Sequence, residues 1–282
     1  MNSALNIPES EPFPFWGLPT STIDWCEPNY ETTRFMAEPL NTISNLSFII
    51  FGLIGAIHES QQRSKRSYVF MHLTVTAIGL GSAAFHGTLT FLGQQMDELP
   101  MIYYLLGCAY VVNHDSFATP RLRNSMITFL VLYGIVYSAI HITTKATTVF
   151  QVHFGSLLAI ILTRVAYKFR KLTLGDDVKK IVLQFVVCGL TAFGFWLLDY
   201  HGCEFLSNDK NVLFNPKKMI SGHVLWHILM GYAAYTSIVM LKCLQDTEKG
   251  LPFSVRYNWL LLPLSFRQVF DLEKKKSQDF IL

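Results

Sequence analysis

The chain has 282 residues, of which 51% are hydrophobic and 15% charged, and its mean hydropathy is positive at +0.31. Soluble domains average about 45–50% apolar and about 25% charged residues, so this composition excludes an ordinary soluble domain. The formal net charge of +3 is small and gives no support for nucleic-acid binding. The chain is therefore expected to be an integral membrane protein.

Residues 1–20 are polar, acidic and proline-bearing, without the apolar stretch of a cleavable signal peptide. The first hydrophobic helix should therefore act as its own insertion signal. A bilayer core about 30 Å thick needs roughly 17–25 helical residues. The sequence predicts an all-α bundle of seven transmembrane helices, at residues 40–58, 68–88, 97–113, 125–142, 149–167, 180–199 and 222–242.

The positive-inside rule compares the Lys and Arg content of alternate connections. These residues are concentrated after the first, third and fifth helices and in the tail, whereas residues 89–95 contain none and 143–148 a single one. Lys210, Lys217 and Lys218 in the sixth connection run against this pattern. The expected regions are a lumenal or extracellular N-terminal segment at 1–39, a transmembrane catalytic domain at 40–242 and a cytosolic tail at 243–282.

Ionisable side chains inside membrane spans are costly and usually mark function. His86 ends the second predicted helix, Asp97 begins the third, and His223 and His227 begin the seventh. Under the predicted topology these four side chains lie at a similar depth near one membrane face. His223 and His227 are four residues apart, so both imidazoles lie on one helix face, as in zinc-binding helices. Three protein ligands with an open position are typical of a catalytic zinc site.

Ser82 lies four residues before His86, so its hydroxyl shares a helix face with that ligand. The alternative is that Ser82 is a small residue that lets helices approach closely, which Gly79 and Gly81 favour. Histidines near helix ends can also be interfacial residues that bind lipid or water. The other histidines lack a histidine partner four residues away and are not expected to bind the metal: His58, His72, His114, His141, His153 and His201.

An acidic segment precedes the first helix and contains Asp24, Glu27, Asn29 and Glu38. Carboxylate, amide and carbonyl oxygens are the ligands that calcium selects. The segment lacks the glycine-bearing loop that defines an EF-hand. A solvated acidic loop is the alternative interpretation on spacing alone.

Five cysteines are present. Cys108, Cys188 and Cys243 fall in or at the ends of hydrophobic helices and are expected to be core thiols. Cys26 and Cys203 both lie in lumenal segments under the predicted topology, and an oxidising lumen allows a disulfide between them. Such a bond would tie the acidic segment to the sixth connection, over the histidine layer.

These motifs together resemble the alkaline ceramidase family, a branch of the superfamily that includes the progestin and adiponectin receptors. The Ser-x-x-x-His, Asp and His-x-x-x-His set is shared across that superfamily, whereas the Asp-Trp-Cys-Glu opening is specific to the ceramidase branch. The resemblance is carried by Asp24-Trp25-Cys26-Glu27, Asn29, Ala37-Glu38, Asn41-Thr42, Ser44-Asn45, Gly81-Ser82, Phe85-His86, Thr88-Leu89, Phe91-Leu92-Gly93-Gln94, Asp97-Glu98, Asp199, Cys203-Glu204, His223 and Trp226-His227.

The resemblance implies a zinc ion on His86, His223 and His227, with Ser82 and Asp97 close to it. The implied activity is hydrolysis of the amide bond of ceramide in the bilayer to a sphingoid base and a free fatty acid. Asp97 would act as general base and then as general acid. Ser82 would orient the attacking water or stabilise the developing oxyanion.

The resemblance also implies a calcium ion that supports activity and the disulfide between Cys26 and Cys203. The implied calcium ligands are the Trp25 carbonyl and the side chains of Asp24, Glu27, Asn29 and Glu38. Residence in the endoplasmic reticulum or Golgi membrane follows from the resemblance alone. The residues leave open the oligomeric state and the preferred acyl chain.

Two other functional classes use similar residues. A seven-helix lipid or hormone receptor of the progestin–adiponectin type would hold a structural zinc, but the Asp-Trp-Cys-Glu opening at residues 24–27 argues against it. A transporter or channel would use intramembrane His and Asp as a proton relay. Transport folds of that kind usually have broken helices or internal repeats, and the sequence indicates neither.

Overall fold

The computed structural model describes residues 13–206 and 221–267, which form a bundle of long helices and a small hairpin. The helices of this described chain are α1 (Pro39–Ser44), α2 (Leu46–Gln61), α3 (Arg66–Thr88), α4 (Phe91–Asn113), α5 (Pro120–Thr144), α6 (Thr147–Phe169), α7 (Asp176–Leu206) and α8 (Gly222–Glu248). Asn45 separates α1 from α2 while keeping helical backbone angles, so the two form one continuous span. A short 3-10 turn, His114–Ser116, follows α4.

The structure confirms the predicted helical bundle. Within the described chain, six spans are long and apolar enough to cross a membrane. The remaining helix, α4, is as long as α3, at 23 residues, but the polar side chains of Gln94, Gln95, Asp97 and Glu98 lie near its start. It begins six residues before the predicted span because those polar residues interrupt the hydropathy pattern without interrupting the helix. Which membrane face each terminus occupies stays a prediction.

Helices α3 and α8 form the centre of the bundle, with 61% and 72% of their apolar windows buried, against 11% in α5 and α7. The outer helices therefore present Leu, Val, Ile and Phe side chains where lipid would contact them. The close approach expected at Gly79 and Gly81 is present. A Cβ atom at Gly81 would lie 1.8 Å from the Met96 carbonyl oxygen, so α3 and α4 are in backbone contact.

The sequence does not predict the β-hairpin that follows α8. Strands β1 (Phe253–Tyr257) and β2 (Pro263–Arg267) pair antiparallel. The hairpin runs back along α8, where the Tyr235 hydroxyl donates to the Pro263 carbonyl at 2.9 Å. The region predicted as a tail from residue 243 thus begins as helix, as far as Glu248, and then packs against the bundle.

A buried charged cluster lies where the hairpin meets α2 and α8. Lys242 Nζ donates to both Glu59 carboxylate oxygens at 2.9 and 2.8 Å, and each side chain is 1% exposed. Lys242 also donates to the Ser265 carbonyl at 3.3 Å, and His58 Nε2 lies 3.0 Å from the same oxygen. Both charged groups of this cluster are therefore hydrogen-bonded.

Some residues on which the predicted topology and tail depend lie outside the described chain. They are residues 1–12, the basic residues of the sixth connection (Lys210, Lys217 and Lys218), and residues 268–282 of the tail. The division of the chain at residues 39 and 242 stays a prediction.

Candidate metal centre

A tight connection brings the end of α3 against the start of α4. Leu89 adopts the left-handed conformation with φ 49°, and the Thr90 side chain then caps α4 by accepting from the Gly93 N–H at 3.1 Å. The chain thereby reverses direction within two residues. His86 and Asp97 consequently lie on adjacent antiparallel helices, near the same end of the bundle.

The first turn of α8 is fixed by two side-chain caps. Ser221 Oγ accepts from the Val224 N–H at 3.2 Å, and Asp199 of α7 accepts from the His223 N–H at 3.1 Å. A carboxylate at a helix N-terminus is also favoured by the helix dipole. These contacts hold His223 and His227, one turn apart, against the bundle interior.

The three predicted zinc ligands converge at this end of the bundle. One ring nitrogen from each of His86, His223 and His227 lies within 4.8 Å of the other two, and the residues are at most 2% exposed. Zinc–nitrogen distances of about 2.0–2.1 Å allow at most about 4.2 Å between two nitrogens on one ion, so a shared zinc would draw the rings slightly together. Among the described residues, no second group of three His, Cys, Asp or Glu side chains converges this closely. We call these three histidines the triad.

Two nitrogens of the triad, His86 Nε2 and His223 Nδ1, have no hydrogen-bond partner among the residues that the structure describes. Buried polar atoms in native proteins are nearly always hydrogen-bonded, and an unsatisfied one costs about 1–3 kcal/mol. A cation at the centre of the triad would satisfy both atoms. Three imidazoles are also the donor set of known catalytic zinc sites, so the residues present fit zinc.

Oxygen atoms hold the outer nitrogens of two triad rings. His86 Nδ1 hydrogen-bonds with the Glu38 carboxylate, and His227 Nδ1 lies 2.7 Å from Ser44 Oγ. Contacts of this kind fix the tautomer and orientation of metal-binding histidines. With Nδ1 protonated, both rings donate to these oxygens and keep the Nε2 lone pair available.

The two predicted catalytic residues lie next to the triad. Ser82 Oγ is 3.4 Å from His227 Nε2 and is close to the Asp97 carboxyl group. Asp97 Oδ1 is buried and has no hydrogen-bond partner in residues 13–206 and 221–267. A hydroxyl and a carboxylate oxygen are thus in place to contact a water molecule or a substrate amide. Their catalytic roles stay predictions.

The predicted calcium ligands occupy the segment that covers this end of the bundle. Asn29 Nδ2 donates to both carboxylate oxygens of Asp24 at 3.1 Å. Glu27 accepts from the backbone N–H groups of Leu40 and Asn41 at 2.8 and 2.7 Å, and thereby caps the start of α1. The acidic side chains are close in space but converge less tightly than the triad.

Two of these candidate ligands have buried oxygens, Asn29 Oδ1 and Glu38 Oε1, for which the described part of the chain supplies no hydrogen-bond partner. Burial raises the pKa of the Glu38 carboxyl well above its usual value, and the charges of Asp24 and Asp199 raise it further. A cation would satisfy both oxygens and offset the repulsion between the carboxylates. The oxygen donors therefore fit calcium, whose binding here stays a prediction.

The N-terminal segment is fastened directly over the triad. A disulfide joins Cys26 to Cys203, and the Cys26 N–H donates to Asp199 Oδ2 at 3.1 Å. The Trp25 indole stacks on the His223 ring with centroids 3.7 Å apart. Asp199 therefore connects α7, α8 and the segment through one carboxylate.

Sequence reasoning misses the roles of Ser44 and Asp199. Ser44 belongs to the motifs that carry the resemblance, but a serine near a helix end is too common for its position to indicate a role. Asp199 is different, because a carboxylate near the end of a long apolar helix marks function. His141, which was not expected to bind the metal, instead lies 2.5 Å from Glu98 Oε2.

Comparison with known proteins places the chain in a family. The model of the ceramidase family matches residues 17–265. The chain is 31% identical over 264 residues to an alkaline ceramidase of Arabidopsis thaliana, covering 94% of this chain and 97% of that protein. It is 34% identical over 227 residues to alkaline ceramidase 3 of Mus musculus, covering 80% and 84%. It is 27% identical over 271 residues to alkaline ceramidase YPC1 of Saccharomyces cerevisiae, covering 90% and 86%. This chain belongs to the ceramidase family.

Proposed function

We propose that this protein is a membrane-embedded amide hydrolase that cleaves ceramide to a sphingoid base and a free fatty acid. Family membership supports the substrate class and the reaction. The observation that carries the proposal is the convergence of His86, His223 and His227 within 4.8 Å. Two of their ring nitrogens have no hydrogen-bond partner among the described residues. The apolar helices that surround the triad support a substrate drawn from the bilayer.

We propose zinc as the ion held by the triad. Bound there, it would supply a Lewis acid for the amide carbonyl and would lower the pKa of water, to about 7 in known zinc hydrolases. The chain's own residues would carry out the proton transfers and orient the reacting groups.

Asp97 is the proposed general base and general acid. Its unpartnered Oδ1 takes a proton from the attacking water while the water oxygen bonds to the carbonyl carbon. The same proton then passes to the amide nitrogen as the carbon–nitrogen bond breaks, so the sphingoid base leaves as an amine. Ser82 donates its hydroxyl hydrogen to the carbonyl oxygen, where negative charge develops. The fatty acid keeps the oxygen that came from water.

Glu38 and Ser44 are proposed positioning residues. Each contacts the outer nitrogen of a triad ring, His86 and His227 respectively. Removal of such a contact typically costs about 10–100-fold in metal affinity or activity. Glu38 also links the triad to the proposed calcium site, because its second oxygen has no partner. Calcium would be bound there by the predicted ligands Asp24, Trp25 (carbonyl), Glu27, Asn29 and Glu38.

The proposed setting is a multi-pass membrane protein, which the six apolar spans of the described chain support. A lumenal triad and residence in the endoplasmic reticulum or Golgi membrane are part of the proposal. A lumenal position agrees with the disulfide between Cys26 and Cys203, because disulfides persist in oxidising compartments.

The experiment that tests the function uses the purified full chain in detergent. Fatty-acid release is measured from a panel of ceramides, with and without calcium and with a zinc chelator, beside the zinc content of the protein. His227→Ala should lose zinc and turnover together. His201→Ala is the matched control, because His201 is an exposed histidine of α7 outside the triad.

Stoichiometric zinc and full activity in His227→Ala would contradict the ligand assignment. Stoichiometric zinc in the unaltered protein without release of fatty acid from any ceramide would favour the receptor alternative.

A further inference from the structure

A cavity of about 360 Å³ opens at the end of the bundle opposite the triad. Its lining includes Lys65, Arg66 and Ser67 at the start of α3, with His114 after α4 and Gln245 of α8. The volume lies within the range of about 300–1,000 Å³ that is usual for small-ligand sites. Arg66 and His86 lie near opposite ends of α3 and are about 30 Å apart. The cavity is therefore at the other membrane face.

The cations around this cavity outnumber their acidic partners. The Asp115 carboxylate is already shared, since Lys249 Nζ lies at 2.7 Å, His114 Nδ1 at 2.8 Å and Lys65 Nζ at 4.0 Å. In the part of the chain that the structure describes, Arg66 forms no ion pair and no side-chain hydrogen bond. Burial lowers the pKa of the Lys65 ammonium, and the charge of Lys249 lowers it further.

The start of α3 adds to this positive potential. The first turn of α3 contains no acidic residue, and Lys65 at the cap position makes no side-chain hydrogen bond to the helix. Cations at a helix N-terminus are unfavourable, because the helix dipole is positive at that end. A bound anion would reverse this effect. Helix N-termini bind phosphate groups through their N–H groups, and arginine binds them through paired N–H donors.

We propose that this cavity binds the phosphate of an anionic lipid headgroup. Arg66 and Lys65 would supply the opposing charge, and Ser67 and His114 would supply hydrogen bonds. The position favours a lipid over a soluble anion, because basic pockets between transmembrane helices at a membrane face are suited to phosphorylated headgroups. The lining residues come from three helical segments of the bundle and from the turn after α4. The site is separate from the triad and does not depend on the proposed hydrolysis.

The test measures binding by the full chain in a neutral detergent. Dioctanoyl phosphatidic acid, dioctanoyl phosphatidylcholine and inorganic phosphate are each titrated at constant ionic strength, with native mass spectrometry and the thermal unfolding midpoint as readouts. Phosphatidic acid should bind more tightly than phosphatidylcholine. Arg66→Gln should weaken phosphatidic acid binding by about 5-fold, the effect of one basic residue near an anionic membrane surface.

Arg63→Gln is the matched control, since Arg63 is an exposed arginine three residues earlier that does not line the cavity. Arg63→Gln should leave phosphatidic acid binding unchanged. Arg66→Lys should retain the part of the affinity that comes from the positive charge. Inorganic phosphate that binds as tightly as phosphatidic acid, with the same dependence on Arg66, would support the anion site and assign it to a soluble ligand. Equal binding of the two lipids, or equal binding by Arg66→Gln and the unaltered protein, would overturn the proposal.

Discussion

The bundle has buried polar groups at both ends, and the triad differs from the Lys242–Glu59 pair in how completely its members are hydrogen-bonded. At one end, His86 Nε2, His223 Nδ1 and Asp97 Oδ1 have no hydrogen-bond partner within the described chain. At the other end, Lys242 and Glu59 bond each other through both carboxylate oxygens. Both regions are almost fully buried, so burial alone does not distinguish them.

The difference indicates what each region is for. A buried ion pair whose hydrogen bonds are complete needs nothing further and holds helices together. A buried group of histidines with open nitrogens is unfavourable by itself, and a bound cation removes that penalty. We therefore expect the Lys242–Glu59 pair to be structural and the triad to be a binding site. The following predictions test that separation.

The largest effect is expected from His223→Ala. Hydrolysis of ceramide should fall by at least about 1,000-fold, because the metal contribution amounts to several kcal/mol. The unfolding midpoint of the chelator-treated protein should fall only by the lost packing of the ring against Trp25, because His223 Nδ1 has no hydrogen-bond partner among the described residues. Fatty-acid release and thermal unfolding in a chelator measure the two effects. A loss of stability in the metal-free variant as large as that of Lys242→Met would contradict the comparison.

Lys242→Met should lower the stability of the fold, in contrast to His223→Ala, whose main effect is on activity. Removal of one member of a buried pair leaves an uncompensated charge on Glu59 and should cost about 3–5 kcal/mol in the free energy of unfolding. The double variant Lys242→Met, Glu59→Leu should recover most of that loss. Denaturant titration measures all three proteins, with Lys180→Met as control, because Lys180 is exposed. If the single variant is as stable as the unaltered protein, the cluster is not structural.

Glu38→Gln should weaken zinc binding by about 10–100-fold through the contact with His86. The variant keeps the size of the side chain but loses its charge, so calcium binding should weaken as well. Competition with a chromogenic chelator measures the zinc affinity. Glu31→Gln changes an exposed acid of the same segment and should leave zinc affinity unaltered. Equal effects of the two substitutions would refute a specific role for Glu38.

The smallest effect is expected from Tyr235→Phe. The variant loses the hydrogen bond to the Pro263 carbonyl and should lose about 1 kcal/mol in the free energy of unfolding. Ceramide hydrolysis should persist, because the hairpin contacts α8 away from the triad. Denaturant titration and fatty-acid release test both statements. A loss of activity without a loss of stability would show that the hairpin acts on the reaction centre.

Much of this architecture could be predicted because its signals are local. Long apolar stretches mark the helices, and the spacing of His223 and His227 places two imidazoles on one helix face. The predicted depth of His86 in the membrane follows from the number of residues along its helix and from the antiparallel order of the helices. These inferences need no knowledge of how side chains pack.

The rest depends on contacts between distant residues. Ser44 is 183 positions from His227, and Cys26 is 173 positions from Asp199, so neither contact leaves a pattern in the sequence. The hairpin was missed because its strands have only five residues each, and the alternation of apolar and polar side chains in β1 does not continue through the whole of β2. Its position is set by hydrogen bonds to α8.

The disulfide between Cys26 and Cys203 indicates which way the protein is oriented in its membrane. A thiol pair stays oxidised only where the cell does not reduce it, so the triad end of the bundle should face such a compartment. Labelling of intact vesicles with a membrane-impermeant maleimide would test this orientation. The reagent should label these two cysteines only after reduction, and only when it is added to the side that the triad faces. The same link requires that recombinant chains mature in an oxidising compartment, because a chain kept reduced would lose the covalent anchor of the segment that covers His223.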